Sequence, residues 1–394
     1  MPRKSPIAKP RRKGPPKVAL LIETSNSYAR GLLEGIEDYI LGHGPWSVYL
    51  GEHGRGDKPP DWITRWKGDG IIARIENPLI AAVLKKTRIP IVDVSAPRLV
   101  SRAPTVTTDN AAVARMAVQH FTERGFRHFA YCGDARFAWS VARGESFSLL
   151  IRDIGYACNI YESPGLGMES EAESEHIGKW LLSLPKPVAV FACYDARGQL
   201  VLDACRRVGL AVPEEVAVLG VDNDELICAL SPPPLSSINL DKRRAGWEAA
   251  ALLAEMMDGG KVAPEIHRIA PLGVVTRKST DVLAVDDPPV TRALRYIREH
   301  ACEGIGVGDV LHHCPMSRRI LEGKVKTLLG RTPREEIMRV QLNRAKEMLS
   351  GMELPLAEIA ARAGFQHTEY FSFVFKRETG VTPSAWRKDH RARR

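Results

Sequence analysis

The hydrophobic period of this 394-residue chain changes once, and that change decides what it can fold into. Up to about residue 280, short apolar runs alternate with segments of helical spacing. Past DVLAVDDPPV (281–290) only helical spacing remains, broken by Gly and Pro. The runs VALLIE (18–23), GIIARI (70–75), IPIVDV (89–94), FRHFAYCG (126–133), VAVFACYD (188–195) and VAVLGVD (216–222) are apolar almost throughout. They read as parallel strands buried on both faces. Between them, ARGLLEGIEDYI, AAVARMAVQHFTERG and ARGQLVLDACRRVGL carry a helical stripe. Strand–helix succession of this kind predicts parallel sheets covered by helices on both sides. Residues 17–280 exceed what one such sheet needs, so two α/β lobes are expected. Residues 281–290 read as a linker, and 291–394 as a separate all-α domain.

Charge follows the same division. Residues 1–17 carry +7, residues 18–287 carry −6 and residues 288–394 carry +8. A slightly acidic body with basic ends suggests that the ends meet a polyanion. The first segment, 1–16, is rich in Pro, Lys and Arg with no apolar periodicity and reads as a disordered basic arm. No apolar run approaches the roughly 18 residues of a membrane-spanning helix, nor the length of a secretory h-region, so a cytoplasmic protein is expected. Seven cysteines without a CxxC pair fit a reducing compartment better than a disulfide framework. His312-His313-Cys314 could suggest a metal, but three adjacent helical positions cannot all face one ion. Neither a metal nor a cofactor is expected.

The C-terminal hundred residues hold a degenerate repeat. GRTP (330–333) recurs as GVTP (380–383), and each Thr-Pro suits a helix start, with Thr332 or Thr382 capping and Pro at the first position. Glu335 completes a capping box with Thr332. Upstream of each lies a helix–turn–helix pattern. In the second, Leu356, Ile359, Ala360 and Ala363 form an apolar stripe, Gly364 permits the turn, and a helix from about His367 turns Phe371 and Phe375 inward. Its outer face offers Gln366, His367, Thr368, Glu369, Ser372, Phe373 and Lys376. In the first, Cys314-Pro315-Met316 makes the turn and Ser317 caps a helix presenting Arg318, Arg319, Glu322 and Lys324. Arginine matches the acceptor edge of guanine, and lysine neutralises phosphate.

The strings SRRILEGKVKTLLGRTP, LNRAKEMLS and LAEIAARAGFQHTEYFSFVFKRETGVTPSAWRK resemble the AraC/XylS-type DNA-binding domain. The resemblance implies two helix–turn–helix units joined by a long helix, about 333–350, addressing successive major grooves of double-stranded operator DNA. Two departures stand out: Val325 occupies a position where the family usually has Phe, and Gly323 lies inside the first recognition helix, where it costs roughly 1 kcal/mol against Ala.

In the central region, ligands of an open parallel sheet lie beyond the carboxyl ends of the strands. Those ends carry Asp93, Asp195 and Asp222, of which Asp195 and Asp222 suit the adjacent hydroxyls of a sugar. Arg143, in a helix expected over 140–156, could donate to it, and the polar stretch 24–28 after the first strand adds short groups. Trp139 and Trp247 could stack on sugar C–H bonds, or serve the core; Asp222-Asn223-Asp224 could merely cap the helix that follows. The region 17–280 resembles the LacI-type, periplasmic-binding-protein-like sugar sensor, with two lobes holding a sugar between them. That resemblance implies ligand contacts at Arg143, Asp195 and Asp222, and at Ser27 and Tyr28. A sensor followed by an AraC-type domain is similar to the bacterial xylose operon regulators. It implies a transcription regulator with a xylose-like effector, acting as a homodimer, with RNA polymerase as a further partner. An enzyme is not expected: no GxGxxG, Walker A, GxSxG or HExxH stands where it would work.

Overall fold

The computed structural model describes residues 14–52, 54, 58–161, 170–282, 287–351 and 353–391. The basic arm therefore lies almost wholly outside the described residues, as do 283–286 of the expected linker. Among the described residues, twelve strands run in chain order. The first six are β1 (Lys17–Leu21), β2 (Ser47–Leu50), β3 (Gly70–Ala73), β4 (Ile91–Asp93), β5 (Thr105–Thr108) and β6 (His128–Cys132). Then come β7 (Cys158–Tyr161), β8 (Val188–Ala192), β9 (Val216–Val221), β10 (Ser236–Leu240), β11 (Ile266–Ile269) and β12 (Pro271–Val275). They form two six-stranded sheets, ordered β11-β5-β4-β3-β1-β2 and β12-β10-β9-β8-β6-β7. Every residue of β8 and β9 is buried, which is why these strands read as unbroken apolar runs. Their pairing is parallel, with Val188 opposite Val216 and Phe191 opposite Leu219.

Among the described residues, eight helices accompany the sheets: α1 (Ser27–His43), α2 (Pro78–Leu84), α3 (Asn110–Thr122), α4 (Ala138–Asp153), α5 (Ser170–Ser183), α6 (Asp195–Val208), α7 (Glu225–Leu230) and α8 (Lys242–Met257). The α4 helix starts two residues before the expected 140 and ends three before the expected 156. Tertiary contacts divide the chain into two compact units. The first comprises residues through Val113, Ala135–Ala142 and Asn239–Gly273. The second comprises Ala114–Asp134, Arg143–Ile238 and everything from Val274 onward. Within the first unit, α1 and α8 touch backbone to backbone: a Cβ on Gly35 would stand 1.9 Å from the Arg243 carbonyl oxygen, and one on Gly246 2.0 Å from that of Leu32.

The second unit contains the all-helical region. Its helices are α9 (Pro288–His300), α10 (Val307–His313), α11 (Arg318–Leu329), α12 (Pro333–Gly351), α13 (Leu356–Arg362), α14 (Thr368–Thr379) and α15 (Pro383–Arg391). Asp287 caps α9 by accepting from the Val290 amide at 3.3 Å, and the first turn begins with proline. The stretch expected as linker thus ends in a helix start. Two apolar cores follow. Val290, Leu294, Val310, Leu321, Val325 and Leu329 build one, and Leu342, Leu349, Ile359, Phe371, Val374 and Phe375 the other. The α12 helix contributes to both and is the spine of the domain.

Candidate effector and DNA-reading sites

In the first unit, Asn26 ends the turn after β1 and accepts from the Ala29 amide at 2.9 Å, which starts α1 and sets Ser27 and Tyr28 in its first turn. The Tyr28 hydroxyl lies 3.3 Å from Thr108 Oγ1, and the Arg74 guanidinium stands 5.3 Å from the centre of the Tyr28 ring. Arg74 is buried, donates to Glu23 at 2.9 Å and pairs with Glu76. Burial opposes its charge, but Glu76 and Glu23 outweigh that and hold it firmly protonated. The motif reading missed this cluster, although all three residues follow a strand end and could have been found by the rule that found Asp93. Asp93 itself is fully buried and accepts from the Ser95 hydroxyl at 2.6 Å. Burial pushes it up to about 7, against the pull of those hydrogen bonds. Trp139 stacks on Phe137 with centroids 5.2 Å apart. Trp247 is 42% exposed and stands edge-on to Tyr39 and His43 on α1.

In the second unit, Asp195 opens α6 and is 1% exposed. One oxygen accepts from the Ser237 hydroxyl and the other from the Asp224 amide, each at 2.6 Å. Burial, aided by the nearby Asp222 charge, raises it to about 8. Those bonds pin the turn that carries Asp222. Asp222 has φ of 104° and Asn223 of 49°, a left-handed pair that aspartate and asparagine tolerate better than other side chains. The two ways of reading Asp222-Asn223-Asp224 separate: Asp224 caps α7, accepting from the Leu226 and Ile227 amides, whereas Asp222 is held half-buried at the strand end. Arg143, 3% exposed in α4, donates to the Cys193 carbonyl. Nearby in the same unit, Arg197 bridges Glu173 at 2.6 Å and Asp134 at 3.4 Å.

The DNA-reading side is built by α10–α11 and α13–α14. Ser317 accepts from the Ile320 amide at the start of α11, and the Thr332–Glu335 capping box forms at α12, with the Thr332 amide donating to Glu335 at 2.7 Å. Thr382 caps α15. Gly364 takes φ of 86° at the turn, where a Cβ would stand 2.7 Å from the Ala301 carbonyl oxygen. Beside it the buried Gln341 side chain of α12 donates to two carbonyls, Ala301 at 2.9 Å and Gly364 at 3.3 Å. One amide thereby ties together the segments that lead into the two helix–turn–helix units.

Phe371 and Phe375 are fully buried, while Phe373 is 64% exposed on the opposite face of α14. Gln366, His367, Glu369 and Lys376 are exposed with it, and Thr368 and Ser372 are partly so. Tyr370, 46% exposed, is a further exposed aromatic of α14 that the motif reading did not single out. On α11, Arg318 and Arg319 are exposed. Arg318 is braced by Glu322 at 2.9 Å, and Lys324 pairs with Asp287 at 2.5 Å. Arg319, Lys324 and Gly323 line an open surface pocket of about 600 Å³ together with Asp287, Ile320 and Leu328. His313 stacks on Tyr296 with centroids 4.3 Å apart, and Cys314 is in the core, so these two side chains serve packing.

Three family models match the chain in succession. Residues 17–111 match the XylR N-terminal domain, 118–280 a periplasmic binding protein-like domain and 312–389 a helix-turn-helix domain. A xylose operon regulatory protein of Haemophilus influenzae is 34% identical over 380 residues, covering 94% of this chain and 98% of the relative. Its counterpart in Escherichia coli K12 is 32% identical, covering 94% and 96%. Among solved structures, a xylose-binding transcription activator, xylR, superposes with a TM-score of 0.62 at 30% identity, covering 95% of this chain and 98% of that one.

Proposed function

This chain belongs to the xylose operon regulatory protein family, and on that premise we propose that it is a transcription regulator whose α/β sensor binds xylose and whose helical domain reads operator DNA. The observation that carries this is the order of modules, sensor first and DNA-reading domain last, shared with relatives along nearly their whole length. Asp222 and Arg143 in the second unit, and Ser27 and Tyr28 in the first, are the proposed sugar contacts. Asp195 is proposed as a further contact, and its bonds with Ser237 and Asp224 also hold the Asp222 turn. A carboxylate accepts from vicinal hydroxyls, and an arginine donates to the oxygens that remain. Ser317, Arg318, Arg319, Glu322 and Lys324 on the first unit of the DNA-reading domain, and Gln366, His367, Thr368, Glu369, Ser372, Phe373 and Lys376 on the second, are the proposed DNA contacts.

The same reading makes the chain a cytoplasmic homodimer that works beside RNA polymerase and turns over no substrate. No helix among the described residues is long and apolar enough to cross a membrane. Sugar binding acts on DNA only through a difference in affinity for two arrangements of the protein. A thermal-unfolding screen across pentoses and hexoses tests the effector. A ligand of the folded state at 100 times its Kd stabilises by about 2.7 kcal/mol. Xylose is expected to raise the midpoint more than any hexose, and no rise with any pentose overturns the assignment.

A further inference from the structure

A continuous hydrogen-bonded strap runs through the second unit from the Asp222–Asn223 turn to α12. Arg277 donates to Asn223 Oδ1 at 2.8 Å and to the Leu235 carbonyl at 2.9 Å. The Ser236 hydroxyl donates to the Arg277 carbonyl at 2.9 Å and accepts from the Arg277 amide at 2.7 Å. It accepts again from the Thr280 hydroxyl at 2.8 Å. Thr280 has spent its only proton on Ser236, so His120 must donate Nε2–H to Thr280 Oγ1 across their 2.9 Å contact. His120 Nδ1 is then the acceptor, and Arg124 fills it from 3.0 Å. The ring is neutral: burial, with Arg124 beside it, holds His120 well below its ordinary value. Arg124 Nε also donates to the Thr280 carbonyl at 2.9 Å, which locks α3 to the short turn at Lys278–Thr280.

The residue before Arg124, joined to it through the backbone, carries the strap into the DNA-reading domain. The Glu123 carboxylate accepts from Arg339 at 2.7 Å, and its backbone carbonyl accepts from Arg331 at 3.2 Å. Both arginines converge on Glu336, which is fully buried on α12, with contacts of 2.5 to 2.9 Å. Burial, together with repulsion from Arg298 and Arg339, lowers Arg124 to about 9. Burial likewise lowers Arg298 to about 10, with Arg339 and Arg331 adding to it. The joint is crowded with cations and depends on its carboxylates, so a small displacement of α3 that withdraws Glu123 leaves like charges facing one another. Such a joint favours two discrete arrangements over a gradual drift.

We propose that this strap, from Asn223 through Arg277, Thr280 and His120 to Glu123 and Arg339, transmits occupancy of the effector site to the DNA-reading domain. The proposal rests on the xylose-sensing assignment and deepens it. It makes Thr280 and Glu123 positioning residues that touch neither sugar nor DNA. The test measures operator affinity by fluorescence anisotropy, with and without saturating xylose, for the full-length wild type, Thr280→Val and Glu123→Gln. Xylose affinity, read by calorimetry, should stay within twofold of wild type in both variants, because no sugar contact is altered. The ratio of operator affinities with and without xylose should fall at least threefold toward one.

Any folded variant that keeps a ratio within threefold of wild type overturns the proposal and makes the strap a structural fastening only. Thr280 is fully buried, whereas the Glu123 side chain keeps some contact with solvent. Glu123→Gln thus supplies a folded variant if Thr280→Val does not. A wild-type chain whose operator affinity ignores xylose overturns the effector assignment itself, and the strap with it.

Discussion

Replacing Asp222 by glycine separates the chemistry of its carboxylate from the strain of its backbone. At φ of 104° a residue with a Cβ is outside its preferred regions, and such strain costs about 1–2 kcal/mol. Glycine relieves it but gives back about 0.5–1 kcal/mol of chain entropy on folding. The sugar-free protein should therefore unfold at the wild-type midpoint or slightly above it, by up to about 1 kcal/mol. Loss of the carboxylate also removes a neighbouring charge from Asp195, whose own pKa should move down from about 8. Sugar binding should suffer in the opposite sense. Truncating one partner of a buried charged hydrogen bond costs about 2–5 kcal/mol. Asp222 is half-buried, which places it toward the lower end, near a 30- to 150-fold loss of xylose affinity. Titration calorimetry gives the affinity, and thermal unfolding of the same samples gives the stability. Xylose affinity within threefold of wild type in a folded Asp222→Gly protein would refute the contact. A midpoint lowered by the equivalent of 2 kcal/mol would refute the account of strain.

Two other predictions concern the DNA-reading domain. Replacing Arg318 or Arg319 by alanine should relax preference at one operator position by about 1–3 kcal/mol, whereas Lys376→Ala should weaken all sequences alike. Binding to a library of operator variants at fixed salt distinguishes the two, and a uniform loss in both arginine variants makes them phosphate contacts. Glu336 is pushed up by burial, but hydrogen bonding and charge from Arg339 and Arg331 hold it at about 2, below the ordinary 4.5. A depressed carboxylate contributes stability that is complete above about pH 4.5 and is lost as pH falls toward 2. That contribution, about 3 kcal/mol, should vanish from the acid limb of unfolding in Glu336→Gln, and an unchanged acid limb would remove Glu336 from the account.

How much the amino-acid order reveals depends on where each strand lies. The six runs recognisable as strands are β1, β3, β4, β6, β8 and β9, three of the four inner strands of each sheet, with β5 and β10 the exceptions. Buried on both faces, they are apolar almost throughout, with Lys17, Asp93 and His128 the exceptions at strand ends. The β2 strand has exposed side chains throughout, and β10 reads SSINL because Ser236 and Ser237 are spent on the strap and on Asp195. The first, SVYL, offers a run of only three apolar residues, and the second opens on two serines. Asp195 and Asp222 were legible because a charge after an apolar run must emerge at an edge. That Asp195 would also accept from the Asp224 amide was not, since it depends on a turn that no spacing encodes. Contact between Arg331 and Glu123 joins positions 208 residues apart and leaves no local trace.

The double bond of Gln341 to Ala301 and Gly364 bears on the grammar of the operator. A single amide that grips the approaches to both recognition helices works as a ruler, because neither helix can swing without breaking a buried bond. The DNA must then present its two reading steps at one phase. Inserting a base pair between them shifts the second step by about 3.4 Å and roughly 35° around the duplex. A domain hinged at α12 would follow that displacement by bending. This one must distort the DNA or release one step, so spacing becomes part of the message that it reads.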